Sequence, residues 1–397
     1  MIVYAKGQED LAKTIGKLLE NQFRQALPNA TFCYEEAGKL GLSGLRVLPE
    51  ILVRGNVTDP GLRRLLLNET LLGGFRPIVY DVDAMFATQV SLQFGLPRPR
   101  YGYNATLLVV NGTTPVTSIV NASAVKDNKR ALAIFSAVYA ANITSVKIVS
   151  PRELGAAADK LERLPNVLAE SSVNLSKDTV NIVSLDGYYA IKGGASGFLV
   201  NIGAAEAWEK RGLPDLPGLK DHPSIGNGPV HIAVLEDFEC PFCARFYNNT
   251  LPYLEKLARE GRVTIHFYDL LIHQNIIDLH AKLLCLYNKT GNATLYLEYA
   301  KRIYRALLEA QKARNFTLYQ DALKRIEGEV DKMLGGENCG KAREVVLNET
   351  HRFLAMGLRG TPTFILWRDG GDKAIYAVGY RDKTFFEKAI KSLEESG

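Results

Sequence analysis

Glu236-Asp-Phe-Glu-Cys240-Pro-Phe-Cys243 is the stretch that decides the fold. Residues 230–235 before it are a short apolar run of strand type. Residues 240–259 after it carry Phe246, Leu251, Leu254 and Leu257 at helical spacing. A Cys-X-X-Cys pair at a strand-to-helix junction has a physical use. Cys240 falls at the helix N-terminus, where free backbone N–H groups and the positive end of the helix dipole favour a thiolate. Pro241 suits the first helical turn, because the N–H it lacks has no helical partner there. Cys243 lies one turn further in, within reach of a mixed disulfide on Cys240.

Two other readings compete. Half of a zinc site would need two further ligands nearby. Cys285 and Cys339 are far apart in sequence, no His-X3–5-His pair accompanies them, and His273 and His280 are two helical turns apart, so no metal is expected. A purely structural Cys240–Cys243 bridge would close so small a loop that it would constrain the unfolded chain little. The second signal is Gly360-Thr361-Pro362-Thr363, a proline leading into a strand over 364–367. Pro362 is either an ordinary strand-entry proline or a cis proline opposite the cysteines. In the second case the backbone beside it can pair with an extended segment as an added strand.

Together these residues resemble the DsbA-like branch of the thioredoxin superfamily. The resemblance runs from about Asp221 to Ser396. It rests on Pro223-Ser-Ile-Gly226, Val234-Leu-Glu-Asp-Phe-Glu-Cys-Pro-Phe-Cys243, Leu251-Pro252 and Gly360-Thr-Pro-Thr-Phe364. It implies a thioredoxin core with a helical insertion, at about 273–356, between the second strand and the proline. It also implies that Cys240 is the exposed nucleophile, Cys243 the buried resolving thiol, and Thr361 and Pro362 the substrate-docking loop.

Phe242 stands where the strongly oxidising members carry His, so it offers a thiolate no charge. With Phe246 it would form an apolar rim for unfolded chains. Glu236, Asp237 and Glu239 would raise a thiol pKa if they lie close. Some relatives carry a second disulfide in the insertion, which would make Cys285 and Cys339 a structural bridge; the alternative is two buried apolar thiols. Cys33 is left over, and a buried free thiol is expected.

By the same resemblance the activity is thiol–disulfide exchange without a bound cofactor. The expected role is an extracytoplasmic oxidase of secreted proteins, acting on reduced or misoxidised polypeptides and reoxidised by a membrane-bound redox partner. A reductase or isomerase, and a chaperone-like polypeptide-binding module with a dispensable cysteine pair, are the alternatives.

The whole chain reads as α/β, a C-terminal thioredoxin-like fold preceded by an α/β region. Residues 212–229 hold four Gly and four Pro, too many for a helix or central strand. They are expected to be a linker between domains at 1–211 and 230–397. Within 1–211, strands are expected at 2–5, 31–35, 51–54, 107–110, 145–149 and 180–185, and helices at 9–26, 129–141 and 152–170. One internal echo stands out: residues 44–53 read GLRVLPEILV and residues 357–366 read GLRGTPTFIL. If the first is a degenerate copy of the C-terminal fold, Gly7-Gln-Glu-Asp10 stands where the cysteine pair should be and can do no redox chemistry. Gly193–Gly197 matches no phosphate-binding spacing.

Composition narrows the function class. The chain of 397 residues has a formal net charge of +5, with both signs interspersed, so nucleic acid is not an expected partner. No run reaches the ~18 apolar residues of a membrane span. Asn-X-Ser/Thr acceptor sites begin at Asn29, Asn56, Asn68, Asn104, Asn111, Asn121, Asn142, Asn174, Asn248, Asn288, Asn292, Asn315 and Asn348, thirteen of the 22 asparagines. Chance would give roughly two. The excess points to a glycosylated, extracytoplasmic protein whose leader or anchor is outside this sequence.

Overall fold

A computed structural model describes residues 1–395 apart from 24–29, 43–44, 72 and 220. Asn29, Gly44 and the expected helix end at Ala26 lie outside the described residues. The chain divides into two compact units, Met1–Gly112 with Ile119–Ala205, and Thr113–Ser118 with Glu206–Gly397.

In the second unit the central strand is Val230–Glu236, and six of its seven residues are buried. Such a strand reads as a continuous apolar run because both faces are covered. It pairs in parallel with Val263–Asp269 and antiparallel with Thr363–Arg368, which pairs in turn with Lys373–Val378. Lys383–Glu395 closes the fold as an amphipathic helix.

The stretch expected to be a linker is not one. Trp208–Arg211 pairs with Lys373–Val378 on one side of it, and Ser224–Gly226 pairs with Val263–Asp269 on the other. Residues 212–223 therefore connect two strands of one sheet. Gly226 and Gly228 serve close approach: a Cβ on Gly228 would lie 2.1 Å from the Arg262 backbone, and one on Gly226 2.3 Å from Val263 O.

The single helix expected over 240–259 is two, Pro241–Asn249 and Leu251–Arg259. Pro252, in the first turn of the second, has no N–H to continue the ladder. The insertion consists of helices Ile277–Thr290, Ala293–Ala313, Phe316–Leu334 and Gly340–Ala355. Asn292 and Asn315 cap the second and third through their side-chain oxygens, and Gly291 and Gly335 end the first and third in the left-handed region.

The first unit contains the same topology twice. Strand Ile2–Tyr4, helix Glu9–Phe23 and the parallel strand Tyr34–Glu36 come first. A cis Leu48–Pro49 bond, two antiparallel strands, Glu50–Val53 and Arg76–Pro77, and helix Tyr80–Phe94 follow. The second copy runs from strand Asn104–Val110 through helix Lys129–Tyr139 to the parallel strand Asn142–Val149. After a cis Leu164–Pro165 bond come antiparallel strands Asn166–Glu170 and Tyr188–Ile191, then helix Ser196–Asn201.

The helix expected over 152–170 is corrected here. Only Pro151–Leu154 and Ala156–Asp159 are helical, and Asn166–Glu170 is a buried strand against Asn104–Val110. Pro165 forbids a continuous helix, and pairing in the middle of a sheet outweighs the helix propensity of Leu and Ala.

Candidate active site

Cys240 is the N-cap of the Pro241–Asn249 helix, held there by its own N–H on Asp237 O at 2.9 Å. Its Sγ accepts the Cys243 N–H at 3.3 Å and lies 3.2 Å from Thr361 O, beside the cis Thr361–Pro362 bond. The thiol is lowered to about 6 from an ordinary 9. The largest cause is the hydrogen bond from the Cys243 thiol. The Thr361 side chain and the backbone N–H groups of Cys243 and Phe242 add to it, against the cost of burial. Cys243 shows the opposite behaviour. It is fully buried, and burial pushes its thiol well above 9, helped by the bond to Cys240 and by that neighbour's charge. One sulfur is thus ionised at neutral pH while its partner keeps its proton. Cys240 is only 4% exposed, less open than the resemblance implies, because the 360–362 loop lies over it.

The insertion holds the loop in front of Cys240. Tyr304 donates to Asp237 O at 3.2 Å, and Tyr319 donates to Phe238 O at 2.9 Å. The Phe238 N–H donates to His280 Nε2 at 3.1 Å. That nitrogen is therefore bare, and the proton sits on Nδ1, 2.5 Å from Asp269 Oδ1. Phe238 also stacks on the His280 ring at 3.9 Å. Asp237 is buried, with its carboxylate accepting the N–H groups of Glu239, Ile272 and His273. Glu239 accepts from Asn275.

Neither carboxylate is among the main groups acting on the Cys240 thiol. Glu236 is the remaining acid. It is fully buried, accepts a hydrogen bond from Tyr296 at 3.2 Å, lies 3.4 Å from the Tyr304 hydroxyl, and is pushed up to about 8, mainly by burial. Its charge acts to raise Cys243. Glu236 was expected to raise a thiol pKa and does so at Cys243, whereas sequence reasoning did not link the insertion residues Tyr304, Tyr319 and His280 to the site. The available signal was a set of polar aromatic residues on the apolar faces of insertion helices, since a buried hydroxyl needs a partner.

Other expected site residues separate. Phe242 is 55% exposed beside the cysteines, whereas Phe246 is fully buried against Phe364 and Phe386 and belongs to the core. Cys285 and Cys339 are bonded to each other, with Cα atoms 5.5 Å apart, and tie the first insertion helix to the start of the fourth. Cys33 is free but exposed rather than buried, just before the edge strand Tyr34–Glu36.

Residues 221–373 match a protein-family model described as Thioredoxin. Over those residues the chain has a thioredoxin-like fold. Solved structures similar to part of this chain include α-DsbA1 of Wolbachia pipientis (15% identity, 45% of this chain and 94% of that one, TM-score 0.36). The catalytic domain of Proteus mirabilis ScsC is another (17% identity, 44% and 89%, TM-score 0.34). A third is the thiol-disulfide exchange protein α-DsbA2 of Wolbachia pipientis (20% identity, 44% and 88%, TM-score 0.32). No curated protein matches the sequence.

Proposed function

We propose that the DsbA-like domain oxidises dithiols in extracytoplasmic polypeptides through the Cys240–Cys243 pair. The observation that carries this reading is the opposed acidity of the two thiols, Cys240 lowered to about 6 and Cys243 raised well above 9. A client thiolate attacks Cys240 Sγ of the oxidised pair. The S–S bond breaks, and Cys243 leaves and takes a proton. A second client thiolate then attacks the client's own sulfur in the mixed disulfide and expels Cys240 as a thiolate. Two electrons pass from client to enzyme, and the client leaves with a disulfide. A stable Cys240 thiolate makes the last expulsion favourable, because stabilising the reduced form makes the pair more oxidising.

Thr361 and Pro362 would receive the client backbone. Among the described residues no hydrogen bond engages the Thr361 N–H, and Phe242 offers an exposed apolar surface beside it. A membrane-bound redox partner that accepts two electrons and two protons would restore the disulfide. The extracytoplasmic setting is supported by the acceptor sites. Of the twelve that fall on described residues, all but Asn111 are exposed.

The reduction potential tests the direction. A value well above the thioredoxin range of about −270 mV is expected. A value in that range contradicts the oxidase reading and favours a reductase.

A further inference from the structure

The first unit holds a cleft that the exchange chemistry does not use. Its volume is about 590 Å³, within the roughly 300–1,000 Å³ of small-molecule sites. Its walls are Thr88 on helix Tyr80–Phe94, the segment Arg98–Tyr101, and helix Lys129–Tyr139 with the start of strand Asn142–Val149.

Every charge lining it is positive. Arg98, Arg100 and Lys129 face the cleft and no acidic side chain does. None of the three makes an ion pair among the described residues. The two arginines are nevertheless anchored. Arg98 Nη1 donates to Lys129 O at 3.1 Å and Arg100 Nη2 to Lys6 O at 3.2 Å, which leaves most of each guanidinium's N–H groups uncommitted. Pairing of Arg100 with Leu48 and of Tyr101 with Val47 fixes the backbone beneath them.

Hydroxyl donors complete the set. Thr88 and Tyr101 share one hydrogen bond of 3.2 Å, so one of their two protons stays free. Ser136 Oγ accepts the Ile143 N–H at 3.3 Å and retains its own proton. Asp83, the acid that acts on Tyr101, is 1% exposed and does not line the cleft. Leu132 and Ala133 supply an apolar wall. A cleft lined by three cationic side chains and no carboxylate is a receptor for an anion. Its apolar wall calls for a ligand with a hydrocarbon body.

We infer that this cleft binds a small organic anion, a phosphate ester or a carboxylate, with its charged group on Arg98, Arg100 and Lys129 and its apolar body against Leu132 and Ala133. Asn142, an acceptor site at the rim, donates to Asn104 Oδ1 at 3.2 Å, so the full chain is titrated after enzymatic removal of any glycan.

The test is calorimetric titration with phenyl phosphate, with phenylacetate as the carboxylate arm and phenol as the neutral control. One site per chain is expected for at least one of the two anions, and whichever binds more tightly identifies the headgroup. Phenol should bind at least about tenfold more weakly, and added salt should weaken the anions. Arg98→Gln with Arg100→Gln should weaken the anion at least about tenfold, Lys129→Gln several-fold, and Lys147→Gln, which lies outside the cleft, not at all. Lys129→Gln alone carries the test if the double variant loses its far-ultraviolet circular dichroism. Absence of saturable binding, equal binding of phenol, or affinity unchanged in folded Arg98 and Lys129 variants would overturn the proposal. Exchange activity at Cys240 is unaffected in every case, so this site and the proposed oxidase stand or fall separately.

Discussion

Gln8 and Cys240 occupy the same place in two copies of one topology. Each begins the helix after the first strand, and each meets the carbonyl of the residue before a cis proline. Gln8 Nε2 lies 3.1 Å from Leu48 O, and Cys240 Sγ lies 3.2 Å from Thr361 O. The scaffold is alike and the outcome differs. The Gln8 amide also donates to Arg98 O, and the backbone of Val47–Leu48 is already paired with Arg100–Tyr101. That copy has closed its docking edge with its own chain and put an unreactive amide at its centre. The copy around Cys240 keeps an acidic thiol and, among the described residues, a Thr361 N–H with no hydrogen bond. The fold therefore supplies the position, and one residue with one free edge supplies the reactivity.

The comparison breaks most visibly at the nucleophile. Cys240→Ser should lower dithiol oxidation of a reduced client peptide by at least about a thousandfold, while Gln8→Ala leaves the rate unchanged. Equal losses would mean that both copies do chemistry. Next in size is the staple of the insertion. Replacing Cys285 and Cys339 by Ser opens a loop spanning 54 positions and should cost the second unit about 4 kcal/mol in denaturant unfolding, with the first unit unmoved.

The two units also each bury an acid. Glu236 and Glu50 are fully buried, and both are pushed up to about 8, mainly by burial. A carboxyl whose folded pKa is raised costs stability on ionising, so the penalty grows from about pH 4.5 to about pH 8. Glu236→Gln and Glu50→Gln should each stabilise their own unit by about 1–3 kcal/mol at pH 8 and have little effect at pH 4. Melting curves at the two pH values check this. Glu236→Gln should in addition lower the Cys243 pKa, which Glu50→Gln cannot do. The smallest effect is Gln8→Ala itself, a loss of about 1 kcal/mol in the first unit alone as its backbone partners go unsatisfied.

Much of the active half was legible in the sequence. A Cys-X-X-Cys at a strand-to-helix junction and a Thr-Pro leading into a strand are local signals, and their physical reasons are local too. The internal echo at 44–53 was legible for the same reason, since Pro49 and Pro362 both follow cis bonds and lead into the strand beside the first one. What escaped was set by distance. The partners of Phe238 and Asp237 come from helices several dozen residues later, and no spacing rule links Tyr319 to a loop at 238. The strand Asn166–Glu170 was misread because its Leu and Ala favour a helix, and only its burial against Asn104–Val110 decides otherwise. The glycines and prolines of 212–229 were read as a boundary, although Gly228 serves a close approach of backbones inside one sheet. Two asparagines of the acceptor sites, Asn292 and Asn315, also cap helices, so one residue type answers to both local structure and exposure.

At neutral pH Cys240 is ionised while Cys243 keeps its proton. The most direct measurement is the ultraviolet absorbance of the thiolate, followed against pH in the reduced full chain and in Cys243→Ala. One ionisation near pH 6 is predicted in the reduced chain. It should shift upward in Cys243→Ala, which loses the hydrogen bond that lowers Cys240 most. A first ionisation near pH 9, or a value unmoved by Cys243→Ala, would contradict the account.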